Sequence, residues 1–280
     1  MKLMNITKTE YANIDENMSL PIKRDSKTVE NLHELFNKSY SDLFWKGFAS
    51  DEDETLQYDL YLKYFKDHPE KLKDLQQTDI TQFCTELFHY NSRRELYFLS
   101  GQFLSALINL HFEKTHTKEK YMLIIESLEE KVDFLGFFAK ANIEIRGNVG
   151  RSTGTQLNGG KIKIYGNAGT HLGREMNYGD ITLFGDCKSN AGELMMGGNI
   201  TINGNAGDFL GINMSGGTII ANKDVKSNVG HDMRGGEIYL NDTYESIAYH
   251  FNSGKIYHKN KVIMSPFRNI IRKIKRRIIE

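Results

Sequence analysis

Residues that could do chemistry are few in this sequence and lie far apart. The stretch Gly154–Lys161 resembles a phosphate-binding loop, but a glycine stands where the loop's lysine belongs and no helical pattern follows. His111 and His116 are five residues apart, on different faces of a helix, so they do not form the metal pair of an HExxH motif. His171 and His231 fall at different positions of the repeat described below. We interpret both as surface residues of turns.

Thiol and carboxylate chemistry is no better supported. Cys187 lies in a predicted turn at residues 185–188, where we expect an exposed thiol without a partner histidine, so a catalytic thiol is not indicated. Five carboxylates stand at unrelated repeat positions: Asp180, Glu193, Asp208, Asp224 and Asp232. Paired acid–base catalysis is therefore not indicated. We predict no catalytic, cofactor-binding or metal-ligating residues, and the exposed arginines to examine first are Arg151, Arg174 and Arg234.

Composition bounds the class of protein. The 280 residues carry 36 basic and 36 acidic side chains, yet residues 1–140 hold 18 basic against 24 acidic ones and residues 141–280 hold 18 against 12. The two cysteines form no CxxC motif, which argues against a disulfide framework or structural zinc and favours a reduced, cytoplasmic protein. The N-terminus turns polar too early for a signal peptide. No apolar run reaches the ~18 residues that a membrane-spanning helix needs.

Glycines after residue 146 recur at a step of 19 residues. Their columns run from Gly147 to Gly204, from Gly154 to Gly230 and from Gly160 to Gly236. Apolar columns run beside them, from Ile143 to Ile238 and from Leu157 to Met233. A fixed period with one consensus indicates a repeat array.

Each repeat predicts one coil of a solenoid. A Gly-x-Ile-x-Ile run has the period of two that indicates a short strand with alternate side chains facing inward. Clustered Gly, Asn and Asp follow, as turns require. A 19-residue unit is too small to bury its own apolar face, so copies must stack. We predict roughly seven coils, about 4.8 Å apart, with the isoleucine and methionine columns as apolar ladders inside.

A polar column follows the first glycine column and consists of Asn148, Asn167, Asp186, Asn205 and Asp224. Such side chains can hydrogen-bond along a stack or cap a turn locally, and we interpret the column in this way. Metal or phosphate binding along the column is the alternative, which the isolation of the aspartates between asparagines disfavours.

Three segments read G-xx-G-xxx-G and consist of Gly147, Gly150 and Gly154, of Gly166, Gly169 and Gly173, and of Gly204, Gly207 and Gly211. This repeat resembles the GXGXG family, which includes the C-terminal domain of the glutamate synthase large subunit and one of the subunits of formylmethanofuran dehydrogenase. The resemblance covers roughly residues 122–260. It implies a right-handed parallel β-helix without catalytic residues that joins or supports catalytic domains or subunits. This sequence departs from the family's glycines at four positions, which are Lys188, Lys223, Lys226 and Asp242. Loss of the consensus is expected in the repeats near the end of a solenoid.

The predicted fold class is α+β, an N-terminal all-helical region followed by this β-helix and a C-terminal amphipathic helix. We place an N-terminus without periodicity at residues 1–25, the helical domain at 26–120, the β-helix at 121–263 and the final helix at 264–280. The most apolar helical pattern begins at Arg94 and is predicted to lie at the centre of the helical domain.

Local signals refine these boundaries. Ser26 or Thr28 is expected to cap the first helix, and Gln82 stands in the capping-box place behind Thr78 and Asp79. Residues 121–125 predict a first strand one period above the clear repeats, and bulky residues around 134–138 predict a first coil that closes the apolar end.

Residues 266–280 predict a basic amphipathic helix. Its apolar face comprises Phe267, Ile270, Ile271, Ile274, Ile278 and Ile279, and its basic face comprises Arg268, Arg272, Lys273, Lys275, Arg276 and Arg277. We interpret it as a cap that lays its isoleucines on the last coil. The alternatives are a membrane-surface anchor, an acidic protein partner, and nucleic acid, for which six charges without interleaved aromatic residues are few.

Two hypotheses of function follow. The first is a non-catalytic scaffold or protein-interaction module that works with protein partners or as a homo-oligomer. Its sharper version, implied by the resemblance, is an accessory subunit of a multi-subunit oxidoreductase. The second is a carbohydrate-binding or carbohydrate-processing β-helix, which rests on the frequent use of this architecture in that role. Saccharide binding by the purified protein would separate the two.

Overall fold

The computed structural model describes residues 26–44, 54–90, 94–125 and 132–266. In these ranges the chain forms an N-terminal helical region followed by a parallel β-solenoid, so the predicted α+β class is confirmed. The α-helices of the described ranges are α1 (Lys27–Phe44), α2 (Glu54–Asp67), α3 (Gln77–Tyr90) and α4 (Arg94–Thr115). A 3-10 helix at Pro69–Leu72 lies between α2 and α3. We call the described residues between 26 and 120 the helical head.

Helix α4 lies at the centre of the helical head, as its apolar pattern predicts. The ring of Phe103 packs against Phe36 of α1, Tyr61 and Phe65 of α2, and Phe83 of α3, with centroids 5.0–5.6 Å apart. All five rings are at most 1% exposed. Edge-to-face contacts of this kind add to the stabilisation from apolar burial, so one aromatic cluster joins the four helices.

Side chains cap the starts of two helices. Ser26 caps α1, because its Oγ accepts the Val29 amide at 3.4 Å. At α3 the prediction for Gln82 is wrong, since it is Asp79 whose Oδ2 accepts the Gln76 amide at 2.9 Å. The helix begins earlier than the sequence pattern indicates, and this moves the aspartate into the capping position.

The strands of the described ranges are β1 (Tyr121–Ile124), β2 (Ile143–Arg146), β3 (Asn158–Tyr165), β4 (Tyr178–Leu183), β5 (Asn199–Ile202), β6 (Thr218–Ala221), β7 (Arg234–Leu240), β8 (Ser253–His258) and β9 (Lys261–Met264). They form one sheet in chain order. Strands β1 to β8 pair in parallel, which makes about seven turns of the solenoid, and the predicted first strand is confirmed. The right-handed sense stays a prediction.

The apolar columns of the sequence form ladders inside the solenoid. Strand alternation turns the column from Ile143 to Ile238 inward, and each of its members is at most 2% exposed. The column from Met176 to Met233 is fully buried. In the first coil, Phe134 and Phe137 are also fully buried, as expected for the residues that close the apolar end. The predicted solenoid interior is therefore confirmed.

A further buried column passes through Cys187 and corrects the expectation of an exposed thiol. Isolated bridges join Cys187 to Ala168 on one side and to Ala206 on the other. The residue is 7% exposed because its side chain lies in this inward-facing column. Burial raises the pKa of Cys187 to about 12. Cys84 is also buried, and neither cysteine forms a disulfide.

The nine glycines of the family motif stand where coils approach one another closely. A Cβ on Gly166 would lie 2.1 Å from the carbonyl oxygen of Gly147 in the coil before. Gly173 has a φ of +66°, and a Cβ there would lie 2.6 Å from Ile200 Cδ1. A Cβ would meet a neighbouring atom within 2.6 Å at each of the other positions: Gly147, Gly150, Gly154, Gly169, Gly204, Gly207 and Gly211.

The Asn/Asp column hydrogen-bonds along the stack, as predicted. Asn148 Oδ1 accepts the amide of Asn167 at 2.8 Å, and Asn167 Oδ1 accepts the amide of Asp186 at 2.8 Å. Asp186 Oδ1 then accepts the amide of Asn205 at 2.6 Å. The side chains of Asn148, Asn167 and Asp186 therefore each occupy a backbone donor of the next coil, which is a structural role.

Helix α4 covers the N-terminal end of the solenoid with a stripe of small and polar residues. Ser105 Oγ accepts the amides of Gly136 and Phe137 in the first coil at 2.9 and 3.2 Å. Asn109 Oδ1 accepts the amide of Lys140 at 3.4 Å. The terminal coil has no preceding coil to pair with, and these side chains replace the missing partner.

Close approach and further hydrogen bonds hold this end in place. A Cβ on Gly101 of α4 would lie 1.8 Å from the carbonyl oxygen of Asp133, so the helix packs directly on the coil backbone. Asn109 Nδ2 donates to the carbonyl of Phe137 at 3.2 Å and to the Tyr58 hydroxyl of α2 at 2.7 Å. The helical head and the first coil are thereby joined through several elements.

The C-terminal end is built differently. Strand β9 pairs antiparallel with β8 and so ends the parallel stack. Residues 267–280 lie outside the described residues, and the predicted amphipathic cap therefore stays a prediction. In the part of the chain that the structure describes, the helices are too short or too polar to cross a membrane.

Candidate functional site

The outer face of the sheet carries a groove beside the helical head. Its larger part has a volume of about 580 Å³ between strands β1–β3 and the loop that follows α4. A smaller part of about 230 Å³ continues over β3–β5. The two parts share Lys161 and Lys163, so they form one track along the solenoid. We call this track the sheet-face groove.

Strand alternation builds the floor of the groove. Residues between the inward isoleucines face outward, and parallel pairing stacks them in register. One ladder consists of Glu144, Lys163, Thr182 and Thr201, and the ladder beside it consists of Lys161, Asp180 and Asn199. The floor therefore changes from charged residues near the head to hydroxyl and amide groups farther along the solenoid.

The helical head supplies the wall of the groove. Gln77, at the start of α3, donates its side-chain amide to the carbonyl of Lys120. Lys120 in turn pairs its Nζ with Glu144 on the floor. The Glu144 side chain is only 6% exposed although it lies on the outer face of the sheet. A buried carboxylate needs a charged or hydrogen-bonding partner, so this ion pair ties the wall to the floor.

A second ion pair lies where the two parts of the groove meet. Asp180 Oδ2 is 3.0 Å from Lys161 Nζ, and Asp180 Oδ1 accepts a hydrogen bond from Asn199 Nδ2 at 2.9 Å. The hydrogen bond from Asn199, followed by the contact with Lys161, lowers the pKa of the Asp180 carboxyl. Asp180 therefore stays ionised at neutral pH, and its charge is already matched by Lys161.

Two lysines of the groove have no such match. Lys118 and Lys163 are exposed and make no ion pair or side-chain hydrogen bond to any residue within the described ranges. The larger part is lined by four lysines and two glutamates, and Asp180 of the smaller part brings the carboxylates of the whole groove to three, which leaves a surplus of one positive charge. This arrangement can bind anionic groups through charge and N–H donors.

Aromatic residues on the same face stack against one another. Tyr165 and Phe184 lie parallel with centroids 4.5 Å apart, as do Tyr239 and Tyr257. Glu237 accepts both tyrosine hydroxyls of the second pair, at 2.7 and 3.1 Å. The hydrogen bond to Glu237 is the main reason that the pKa of Tyr239 is raised to about 12. These contacts join successive coils. The ring faces that stack on each other are also not open to stack on a sugar.

Histidine–carboxylate pairs lie on the turn side of the coils. His171 Nδ1 is 2.5 Å from Glu193 Oε2. A carboxylate in this position orients the histidine in enzymes that use it as a general base. Ser152 stands one coil earlier in the same column, but it is 3% exposed and makes no hydrogen bond to His171. His231 pairs with Asp232 at 3.1 Å, three coils away from His171. The structure therefore brings no nucleophile to either histidine and does not bring the two together.

The other sequence candidates are structural or separate. Residues 154–161 run from a turn into β3 rather than into a helix, so they form no phosphate loop. Arg151 Nε is 3.2 Å from Asp133, and Arg174 pairs with Glu175 at 3.0 Å, whereas Arg234 is exposed. Across the described ranges, no three His, Cys, Asp or Glu side chains cluster as metal ligands.

The five scattered carboxylates remain apart in space. Asp180 lies in the groove, while Glu193 and Asp232 pair with histidines on the turn side. Asp208 accepts the Ser227 amide at 3.1 Å, and Asp224 accepts the Thr243 hydroxyl at 2.5 Å. Each has a partner of its own, and no two of them face a common cleft in the described residues.

Comparison with known proteins adds no relative. No protein family matches the chain, and no curated protein is significantly similar to it. Membership of the GXGXG family therefore stays a prediction that rests on the repeat glycines.

The groove was not predicted from the sequence, although one signal for it was present. Lys161 and Lys163 alternate with the isoleucines of β3, which places a basic pair on the outer face. The wall residues 118–120 carry no repeat pattern, and only the packing of the helical head brings them beside β3.

Proposed function

We propose that this protein is a non-catalytic scaffold, a protein-interaction module that presents the sheet-face groove and the adjoining helical head to a protein partner. The observation that carries the proposal is the attachment of α4 to the first coil through Ser105 and Asn109. Because head and solenoid are held together by these bonds, the groove between them keeps its shape. A preformed surface loses little conformational entropy when a partner binds.

The chemistry of the groove supports binding rather than turnover. Its carboxylates Glu144 and Asp180 are engaged in ion pairs with lysines. A general acid–base pair needs groups that can take up and release a proton near neutral pH, and the lowered pKa of Asp180 opposes this. The remaining polar groups are lysines, threonines, the side-chain amides of Gln77, Asn142 and Asn199, and the carboxylate of Glu119, which can bind a ligand through charge and hydrogen bonds.

The sharper proposal is an accessory subunit of a multi-subunit oxidoreductase resembling glutamate synthase or formylmethanofuran dehydrogenase. It rests on the family resemblance of the glycine repeat. We further propose a cytoplasmic location, which is supported by two buried cysteines that form no disulfide. A homo-oligomer is the form of this proposal in which the partner is a second copy of the chain.

Affinity purification of the tagged full-length chain from its native cells tests the proposal. Co-eluting proteins are identified by mass spectrometry, and the mass of the complex is measured by light scattering. Thr182→Arg places a bulky charge on the groove floor, and Thr170→Arg makes the same change on the turn side. We expect a stoichiometric partner whose yield falls at least about fivefold with Thr182→Arg and stays unchanged with Thr170→Arg.

The other outcomes contradict parts of the proposal. A stoichiometric redox enzyme in the eluate supports the accessory subunit, and a partner of another kind removes that version alone. Equal yields with both variants refute docking at the groove. A monomer without partners that binds saccharides on a glycan array refutes the scaffold and supports the carbohydrate hypothesis.

A further inference from the structure

We infer that the sheet-face groove binds an extended acidic segment of a protein partner, whose carboxylates lie beside Lys118 and Lys163. The neutral part of the segment lies over Thr182 and Thr201. This inference rests on the proposed function and adds the chemistry and conformation of what the partner presents.

The shape of the groove favours a chain over a compact ligand. The larger and smaller parts are continuous through Lys161 and Lys163, and together they cross strands β1 to β5. Four steps between neighbouring strands at about 4.8 Å amount to roughly 19 Å. An extended peptide of about six residues has this length, since each residue advances about 3.3 Å. A compact small molecule would occupy only one of the two parts.

The charges favour an acidic segment. Lys120 and Lys161 are already paired with Glu144 and Asp180, and Lys163 lies between these two pairs on the floor. Lys118 and Lys163 have no ion-pair partner in the described ranges, and Glu119 is the one further carboxylate that lines the groove, so four lysines face three carboxylates and carboxylates of a ligand would be attracted to the unpaired lysines. Exposed ion pairs are weak because water screens them, so the lysines select and orient the segment while the length of the groove supplies further contacts.

The far end of the groove is suited to neutral polar groups. Thr182, Thr201 and Asn199 present hydroxyl and amide groups there. These side chains can donate and accept hydrogen bonds, which matches the N–H and C=O groups of an extended peptide backbone. The groove therefore has a direction, with acidic recognition at the head and neutral recognition farther along the solenoid.

Nucleic acid fits the same groove less well. A continuous phosphate backbone needs one cationic partner after another, and the groove offers only Lys118 and Lys163 as lysines without an ion pair in the described ranges. Binding of single strands also relies on aromatic side chains on which bases stack. The aromatic pair Tyr165 and Phe184 on the same face already stacks on itself.

Fluorescence anisotropy with two labelled peptides tests the inference on the full-length protein. The first peptide carries three glutamates followed by three serines, and the second replaces the glutamates by glutamines. We expect the acidic peptide to bind at least about tenfold more tightly, and its affinity to fall as the salt concentration rises. Lys118→Glu and Lys163→Glu should each weaken its binding about fivefold or more.

Matched variants separate the groove from general charge effects. Lys226→Glu makes the same change at an exposed lysine on the turn side and should leave binding unchanged. Lys163→Gln removes the charge without adding a repulsive one and should give an intermediate affinity, which guards against misfolding of the glutamate variant. Equal affinity for both peptides overturns the inference, as does equal weakening by Lys226→Glu. An oligonucleotide that binds through Lys163 where the peptide does not also overturns it.

The purification experiment keeps this inference separate from the proposed function. If a stoichiometric partner is retained equally by the wild type and by Lys163→Glu, the scaffold proposal stands and acidic recognition is refuted. If the acidic peptide binds at the groove but no partner co-purifies, the peptide chemistry stands and the scaffold proposal is refuted.

Discussion

The substitution Ser105→Ala should weaken the attachment of the helical head to the first coil. The Ser105 side chain is buried at 1% exposure, and its hydroxyl uses its full bonding capacity. Its oxygen accepts the amides of Gly136 and Phe137 at 2.9 and 3.2 Å, and its proton goes to the carbonyl of Gly101 at 2.6 Å. Alanine would leave two buried N–H groups without a partner.

The magnitude follows from the two orphaned donors. Each buried donor that loses its partner costs about 1–3 kcal/mol. Relaxation of the helix recovers part of this, so we expect a loss of about 3 kcal/mol for the head-to-coil contact. Since about 1.4 kcal/mol is a factor of ten, the amides of Gly136 and Phe137 should exchange about a hundredfold faster with solvent deuterium.

Hydrogen exchange measured by NMR or mass spectrometry resolves this effect without assuming that the whole chain unfolds in one step. Ser39→Ala is the matched control, because Ser39 is equally buried in α1 but only donates to the Phe36 carbonyl at 2.9 Å. It leaves no amide without a partner and should cost less than about 1 kcal/mol.

Two results would refute this reasoning. If the Gly136 and Phe137 amides exchange as slowly in Ser105→Ala as in the wild type, the hydroxyl does not supply their hydrogen bonds. If Ser39→Ala is as destabilising as Ser105→Ala, the effect is one of buried hydroxyls in general. The first result would also remove the Ser105 contacts from the observation that carries the scaffold proposal and leave only those of Asn109.

Three further predictions concern packing, thiols and pH. Gly101→Ala should lower the thermal midpoint through a loss of about 2–3 kcal/mol, because its Cβ would lie 1.8 Å from Asp133 O; an unchanged midpoint contradicts this. Cys84 and Cys187 should both resist a thiol reagent at about pH 8 until the protein is denatured, since burial raises the pKa of each to about 12, and one fast thiol in the native protein would refute it. The pKa of Asp180 is lower in the folded protein than in the unfolded chain. Its contribution to folding stability is therefore fully present above the unfolded pKa of about 3.9 and is lost as the pH falls through the lower folded pKa. Urea unfolding at about pH 7 and pH 3 should therefore show that Asp180→Asn loses less stability on acidification than the wild type, by under about 1 kcal/mol because the carboxylate is partly exposed.

The repeat made the solenoid predictable in detail. Each coil contacts mainly the coils before and after it, so a 19-residue step in the sequence becomes one step in space. The isoleucine and methionine ladders and the polar ladder from Asn148 follow from this relation and are confirmed. Cys187 was the exception, because its buried column consists of single bridging residues that are too short to reveal an alternating pattern.

The helical head was predictable only in part. Apolar spacing identified the central helix, whose Phe103 joins the aromatic cluster. Residue type offered Ser26 or Thr28 as the first cap, and the structure shows Ser26 in that position. The start of α3 was misplaced, because Asp79 and Gln82 offer competing capping patterns and only the fold decides between them. Gly101, Ser105 and Asn109 read from the sequence as interruptions of an apolar run, and their role depends on a coil some thirty residues away.

The sequence by itself determined the solenoid, because periodic glycines and inward isoleucines encode contacts between residues a constant distance apart. The candidate reactive residues fall in different columns, so the sequence predicts no convergent set of them. Only the tertiary structure decided where the candidate site lies. Gln77, Lys118 and Lys163 come from three segments without a common period, and they line one groove because α4 is hydrogen-bonded to the first coil. Such packing depends on shape and hydrogen-bond partners, which no local pattern of residues records.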